Sequence, residues 1–150
     1  MKFIAHRGLF QGPDKNLENH PEQIKKALAN GYECEIDIWL VDHQLYLGHD
    51  DPTYHIGDGF LKQSGLWIHA KNSEALHWLI TTDLNYFWHE NDAYTLTSKG
   101  WIWAYPGQPV NKNSIQVMPE MADPSLKNIC YDAYAVCSDF VEDIKNHKFV

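Results

Sequence analysis

Apolar residues along this chain fall into short runs separated by polar turns, and ionisable residues cluster at the ends of those runs. Residues 2–6 read as a first strand ending before Gly8. Leu9 to Asn19 is a polar loop with Gly12, Pro13 and Asp14. Pro21 suits the first position of a helix, with Asn19 or His20 as its cap. Ile24, Ala27 and Leu28 recur at helical spacing, and Gly31 is a good stop. Residues 33–40 form a second strand. Alternation along it puts Glu35 and Asp37 on one face, with Glu33 behind them, and Cys34, Ile36 and Ile38 on the other. Strand, helix, strand predicts parallel pairing through a right-handed crossover.

Residues 41–47 read as a hairpin turning at Asp42-His43-Gln44, followed by a loop over 51–64. A third core strand spans 66–71. Asn72 or Ser73 caps a second helix whose Ala75, Leu76, Leu79 and Ile80 form an apolar stripe. A fourth strand covers 86–89. Further strands are expected at 94–97, 101–105, 114–118 and 134–138, with a short helix over 141–148. A parallel crossover needs about a dozen residues. The links at 90–93 and 98–100 are shorter, so they must be hairpins, irregular crossings or chain that leaves the sheet.

A chain of 150 residues, 44% hydrophobic and 21% charged, is expected to form one globular domain over 1–150. The net charge of −8 gives no general attraction for nucleic acid or anionic membrane. No apolar run reaches membrane-spanning length, so stable insertion in a membrane is not expected. Cys34, Cys130 and Cys137 have no CxxC spacing and read as buried reduced thiols. His6 and Arg7 interrupt any signal-peptide core, which makes a cytoplasmic location the expectation.

Two carboxylates on the face of an interior strand are costly unless paired or bound to a metal. Glu35 and Asp37 are therefore candidate ligands for a hard divalent ion, magnesium or calcium. The alternative is a solvated strand face. His6 and Arg7 precede a glycine that permits a sharp turn and close approach of a ligand. His49-Asp50 ends a Tyr-Leu-Gly turn, and His69 and Lys71 share a face of the third strand with Trp67. Separate histidines, an arginine and paired carboxylates suggest metal-assisted acid–base chemistry on a phosphate.

The strings HRG at 6–8, EN at 18–19, ExD at 35–37 and HD at 49–50 resemble, in order and rough spacing, the N-terminal half of the glycerophosphodiester phosphodiesterase family. That resemblance implies a phosphoric diester hydrolase on a phospholipase C-like TIM barrel, acting on a small-molecule phosphodiester substrate. His6 and His49 would be the acid–base pair, Arg7 and Lys71 phosphate ligands, and Glu35 and Asp37 metal ligands. Glu18 would be a further ligand or would orient His6. Ser138-Asp139 resembles the Thr-Asp that ends the family's last strand. Trp103 is similar to a tryptophan near the active-site mouth, although core packing is the commoner reason for a stripe such as Trp101, Trp103, Tyr105, and Trp103 could serve both. The family carries Glu where this chain has His69. His69 is then either a third metal ligand, which would shift preference toward manganese or zinc, or a space-filling ring. His89-Glu90 is a possible substrate contact.

About eight strands match the number in a TIM barrel, but a complete one takes about 250 residues. The expected fold is α/β, a reduced or incomplete TIM-type (β/α) barrel with several outer helices missing. The rival readings are a non-catalytic phosphosugar- or phosphodiester-binding module and a metal-independent phospholipase C-like lyase. A transition-metal binder built on nine histidines is disfavoured by their scattered spacing.

Overall fold

The computed structural model describes residues 1–147. It shows a mixed α/β chain whose curled sheet carries ten strands, with four α-helices among the described residues. The strands are β1 (Lys2–Ala5), β2 (Glu33–Val41), β3 (Gln44–Leu47), β4 (Tyr54–Ile56) and β5 (Leu66–Ala70) in the first half. The second half contributes β6 (Tyr86–Phe87), β7 (Tyr94–Leu96), β8 (Ile102–Ala104), β9 (Ser114–Val117) and β10 (Ala135–Ser138). The helices are α1 (Pro21–Ala29), α2 (Ser73–Leu79), α3 (Pro119–Ala122) and α4 (Val141–Lys145).

The expected βαβ unit is present, with β1 and β2 parallel across α1. Parallel pairs continue from β2 to β5 and from β5 to β6. They run also from β8 through β9 to β10, and β10 returns to pair with β1. The short link at 98–100 is a hairpin, with β7 antiparallel to β8. Two hydrogen bonds bring β6 alongside the β7 end: Ser98 N–H donates to Tyr86 O at 2.8 Å, and Tyr86 N–H donates to Ser98 Oγ at 2.9 Å.

Strand alternation divides the core. Outward-facing Cys34, Ile36, Ile38 and Ile68 pack with Ile24 and Ala27 of α1 and Ala75 and Leu79 of α2. The inner cluster draws on six strands: Ile4, Trp67, Phe87, Trp103, Ile115, Val117, Ala135 and Cys137. That one cluster gathers residues from β1, β5, β6, β8, β9 and β10, which makes the sheet curl around a common interior. Trp103 stacks on Phe87 with ring centroids 4.5 Å apart, so the packing role weighed for it is real. Trp101 instead stacks on Tyr134, so the aromatic stripe is divided.

Several boundaries differ from the sequence reading. The first strand stops at Ala5 because His6-Arg7-Gly8 forms a tight 3-10 turn with Arg7 left-handed at φ 53°. The cap of α1 is His20, whose Nδ1 accepts from Glu22 N–H; Asn19 is buried and bonded elsewhere. Asn72 caps α2. The loop over 51–64 contains β4 and a 3-10 turn at Asp58–Lys62, and α3 was not foreseen. These elements are too short for periodicity to reveal. The fourth strand keeps only Tyr86 and Phe87, since the chain leaves the ladder at Trp88. The last helix ends at Lys145, and Lys148 lies outside the described residues. Cys34 and Cys137 are buried free thiols, whereas Cys130 is free but only half-buried. No helix among the described residues is long and apolar enough to cross a membrane.

Candidate functional site

A cleft of about 620 Å³ opens where β1, β5 and β10 end, beside the middle of β2, and it collects the residues singled out in sequence. His6, Arg7, Glu35, Asp37, His49, His69, Lys71 and Trp103 all line it. His6 and Arg7 follow β1, Lys71 follows β5 and Asp139 follows β10. Glu35 and Asp37 lie within β2, where Asp37 sits opposite His69 of β5.

At the floor, three side chains each have one arm tied and one turned inward. Glu35 Oε2 accepts from Arg7 N–H at 3.1 Å. Asp37 Oδ2 accepts from Asn19 Nδ2 at 2.8 Å, while Asn19 Oδ1 accepts from Asp37 N–H at 2.9 Å. His69 Nε2 lies 2.9 Å from the His89 carbonyl, which can only accept, so Nε2 carries the hydrogen. The untied atoms face one another. His69 Nδ1 is 3.2 Å from Asp37 Oδ1 and 3.9 Å from Glu35 Oε1. Asp37 Oδ1 is buried with no hydrogen-bond partner.

The ligand atoms of Glu35, Asp37 and His69 all lie within 4.8 Å of one another, so this buried group could bind a metal ion. An orphaned buried oxygen beside an imidazole lone pair fits a cation, since burial without a partner is costly for both atoms. Phe87 stacks on His69 at 5.0 Å and holds the ring in its plane. Burial first, then the charge of Asp37, pushes Glu35 above the ordinary carboxylate range. Burial is also the largest influence on Asp37 and would raise it. His69, Arg7 and the Asn19 bond outweigh burial and hold Asp37 below that range.

Above the floor, His6 Nδ1 donates to Asp139 Oδ1 at 2.8 Å, leaving Nε2 3.9 Å from Glu35 Oε2. Burial opposes protonation of His6, but the Asp139 bond and the Glu35 charge raise it above the ordinary imidazole value. His49 shows the same arrangement, with Nδ1 2.8 Å from Asp50 Oδ1. Glu18 holds Arg7 at 2.9 Å rather than approaching His6, which corrects the idea that it orients that histidine. Lys71 Nζ is 4.0 Å from Asp37 Oδ1. The sequence reading underweighted His89, which lines the cleft with Nδ1 2.9 Å from Asp92 Oδ2; its signal was the position after a strand. Tyr105, the end of the aromatic stripe, also lines the wall, as do Met118 and Met121, which carry no motif.

The arrangement can hold a cation, offer two guanidinium or ammonium groups to an anion, and move protons at two imidazoles. Comparison of the chain with protein-family models, curated proteins and solved structures finds no match.

Proposed function

We propose that this protein is a metal-dependent phosphodiester hydrolase of the glycerophosphodiester type, built on a reduced TIM-type barrel. The observation that carries this reading is the three-armed floor of Glu35, Asp37 and His69 beneath two His–Asp pairs in one cleft. The return of β10 to β1 and the Ser98–Tyr86 bonds support the barrel reading. A divalent ion bound there would bind a phosphate oxygen and offset developing charge. Arg7 and Lys71 hold the remaining phosphate oxygens. His6, with Nδ1 committed to Asp139, presents Nε2 for proton transfer, and His49, with Nδ1 on Asp50, does the same. One imidazole removes a proton from the nucleophile and the other protonates the leaving alkoxide. Two carboxylates suit magnesium or calcium; the inward nitrogen of His69 shifts preference toward manganese or zinc.

A second reading has one observation in its favour. A protonated His69 would place an N–H between Asp37 and Glu35, a built-in cation in a metal-independent lyase. The deciding experiment is hydrolysis of glycerophosphodiesters and bis-p-nitrophenyl phosphate, with a panel of divalent ions and in chelator. Turnover restored by an ion supports the first reading, and full turnover in chelator supports the second. Binding without turnover under every condition would leave a phosphodiester-binding module.

A further inference from the structure

Glu120 lies in α3, in a stretch with no motif, and reaches behind the His6–Asp139 pair. Its Oε1 accepts two hydrogen bonds, from Ser138 Oγ at 2.8 Å and from Asp139 N–H at 3.1 Å. Ser138 Oγ in turn accepts from Phe140 N–H at 2.9 Å. One carboxylate oxygen thus ties Ser138, the last residue of β10, and Asp139, the first beyond it, and Phe140 joins through Ser138 Oγ. Asp139 then holds His6 Nδ1 at 2.8 Å, across 133 positions of sequence.

The other Glu120 oxygen, Oε2, is buried with no hydrogen-bond partner. A carboxylate is an expensive way to tie a turn when one of its oxygens is left dry. Its helix is held against the cleft as well. Met118 is left-handed at φ 44°, and its N–H donates to Cys137 O at 2.7 Å. Asn128 Nδ2 donates to Pro119 O at 3.0 Å. α3 is therefore anchored to the very strand end it steadies.

We infer that Glu120 is a positioning residue: it fixes the backbone of Asp139 so that the carboxylate meets His6 Nδ1 and directs Nε2 into the cleft. This rests on the reading of His6 as a proton-transfer group, because the geometry Glu120 maintains matters only if that ring does chemistry. A misplacement of about 1 Å in such a group can cost about 100-fold in rate.

The test compares the full chain with Glu120→Gln, which keeps an accepting oxygen, and with Glu120→Ala and Glu120→Met, which do not. Glu120→Met conserves volume and guards against collapse of the Ala variant. Two readouts are taken. One is the downfield proton resonance of the His6 Nδ1–H bonded to Asp139. The other is kcat and KM on bis-p-nitrophenyl phosphate. The expected result is a weakened or lost resonance and kcat lower by about tenfold or more in the Met and Ala variants, with KM within about twofold, and recovery of both in Glu120→Gln. An unchanged resonance in Glu120→Met overturns the inference, even if the melting temperature falls. If the parent hydrolyses no diester, the functional reading fails, while the resonance still decides whether Glu120 positions His6.

Discussion

His6 enters the cleft with one ring nitrogen committed to Asp139, and that bond decides what the other can do. Because the folded pKa of His6 is raised above 6.5, the folded protein holds the proton more tightly than the unfolded chain. Its contribution to stability is then complete below about 6.5 and is lost as pH rises through the folded value. Metal-free protein should lose stability over that window in urea titrations, and Asp139→Asn should flatten the slope. For catalysis, His6→Ala and His49→Ala should each lower turnover by at least ~100-fold with circular dichroism unchanged. Parental rates in both would end the two-histidine mechanism. At the floor, changing His69 to Glu removes the only nitrogen among the three inward atoms. Titrations at fixed pH should show the parent favouring manganese or zinc, and His69→Glu moving toward magnesium or calcium. Identical ion order in both would make His69 a packing residue.

At the scale of elements, the turns that deliver these side chains depend on unusual backbone. Arg7 and Asn19 are both left-handed, and Asn19 N–H donates to Arg7 O at 2.9 Å, which locks the two turns together. Gly8, at φ 79°, lets α1 approach, since a Cβ there would meet Ile24 Cγ1 at 3.0 Å. Gly48, at φ 154°, precedes His49, and a Cβ would overlap the carbonyl oxygen of Asp51. Gly48→Ala should therefore displace the His49 turn. The expected outcome is a loss of about 1 kcal/mol or more in denaturant unfolding, together with reduced turnover. The hairpin between β2 and β3 uses left-handed Asp42 and His43, the geometry that fits the twist of paired strands.

For the whole molecule, the inner cluster and the cleft are one construction. Trp103 stacks on Phe87, Phe87's neighbour in register is His69, and His69 faces the carboxylates. Trp103→Ala should cost about 3–5 kcal/mol, as large aromatic truncations in cores do. It should also weaken metal binding by loosening the ring under His69; urea unfolding and metal titration read the two effects separately. On β7, Leu96 is 65% exposed and Tyr94 is exposed as well. The helices meet the sheet along its first and last strands: α1 packs on β2, α2 on β2 and β5, and α4 on β1 and β10.

Alternation in the second strand was enough to put Glu35 and Asp37 on one face, because a two-residue period needs no tertiary information. The crossover through α1, the asparagine cap of α2 and the shared face of Trp67, His69 and Lys71 were legible for the same local reason. Register and curl were not. Only they bring Asp139 to His6, set Asp37 opposite His69, and turn the His89 carbonyl onto Nε2 so that Nδ1 faces inward. Asn19 shows the division in one residue: its sequence position suits a helix cap, but burial beside Asp37 gives it a better hydrogen-bond partner. Glu120 shows it most fully, since a carboxylate in a four-residue helix has no periodic signature and acquires meaning only where the last strand returns to the first.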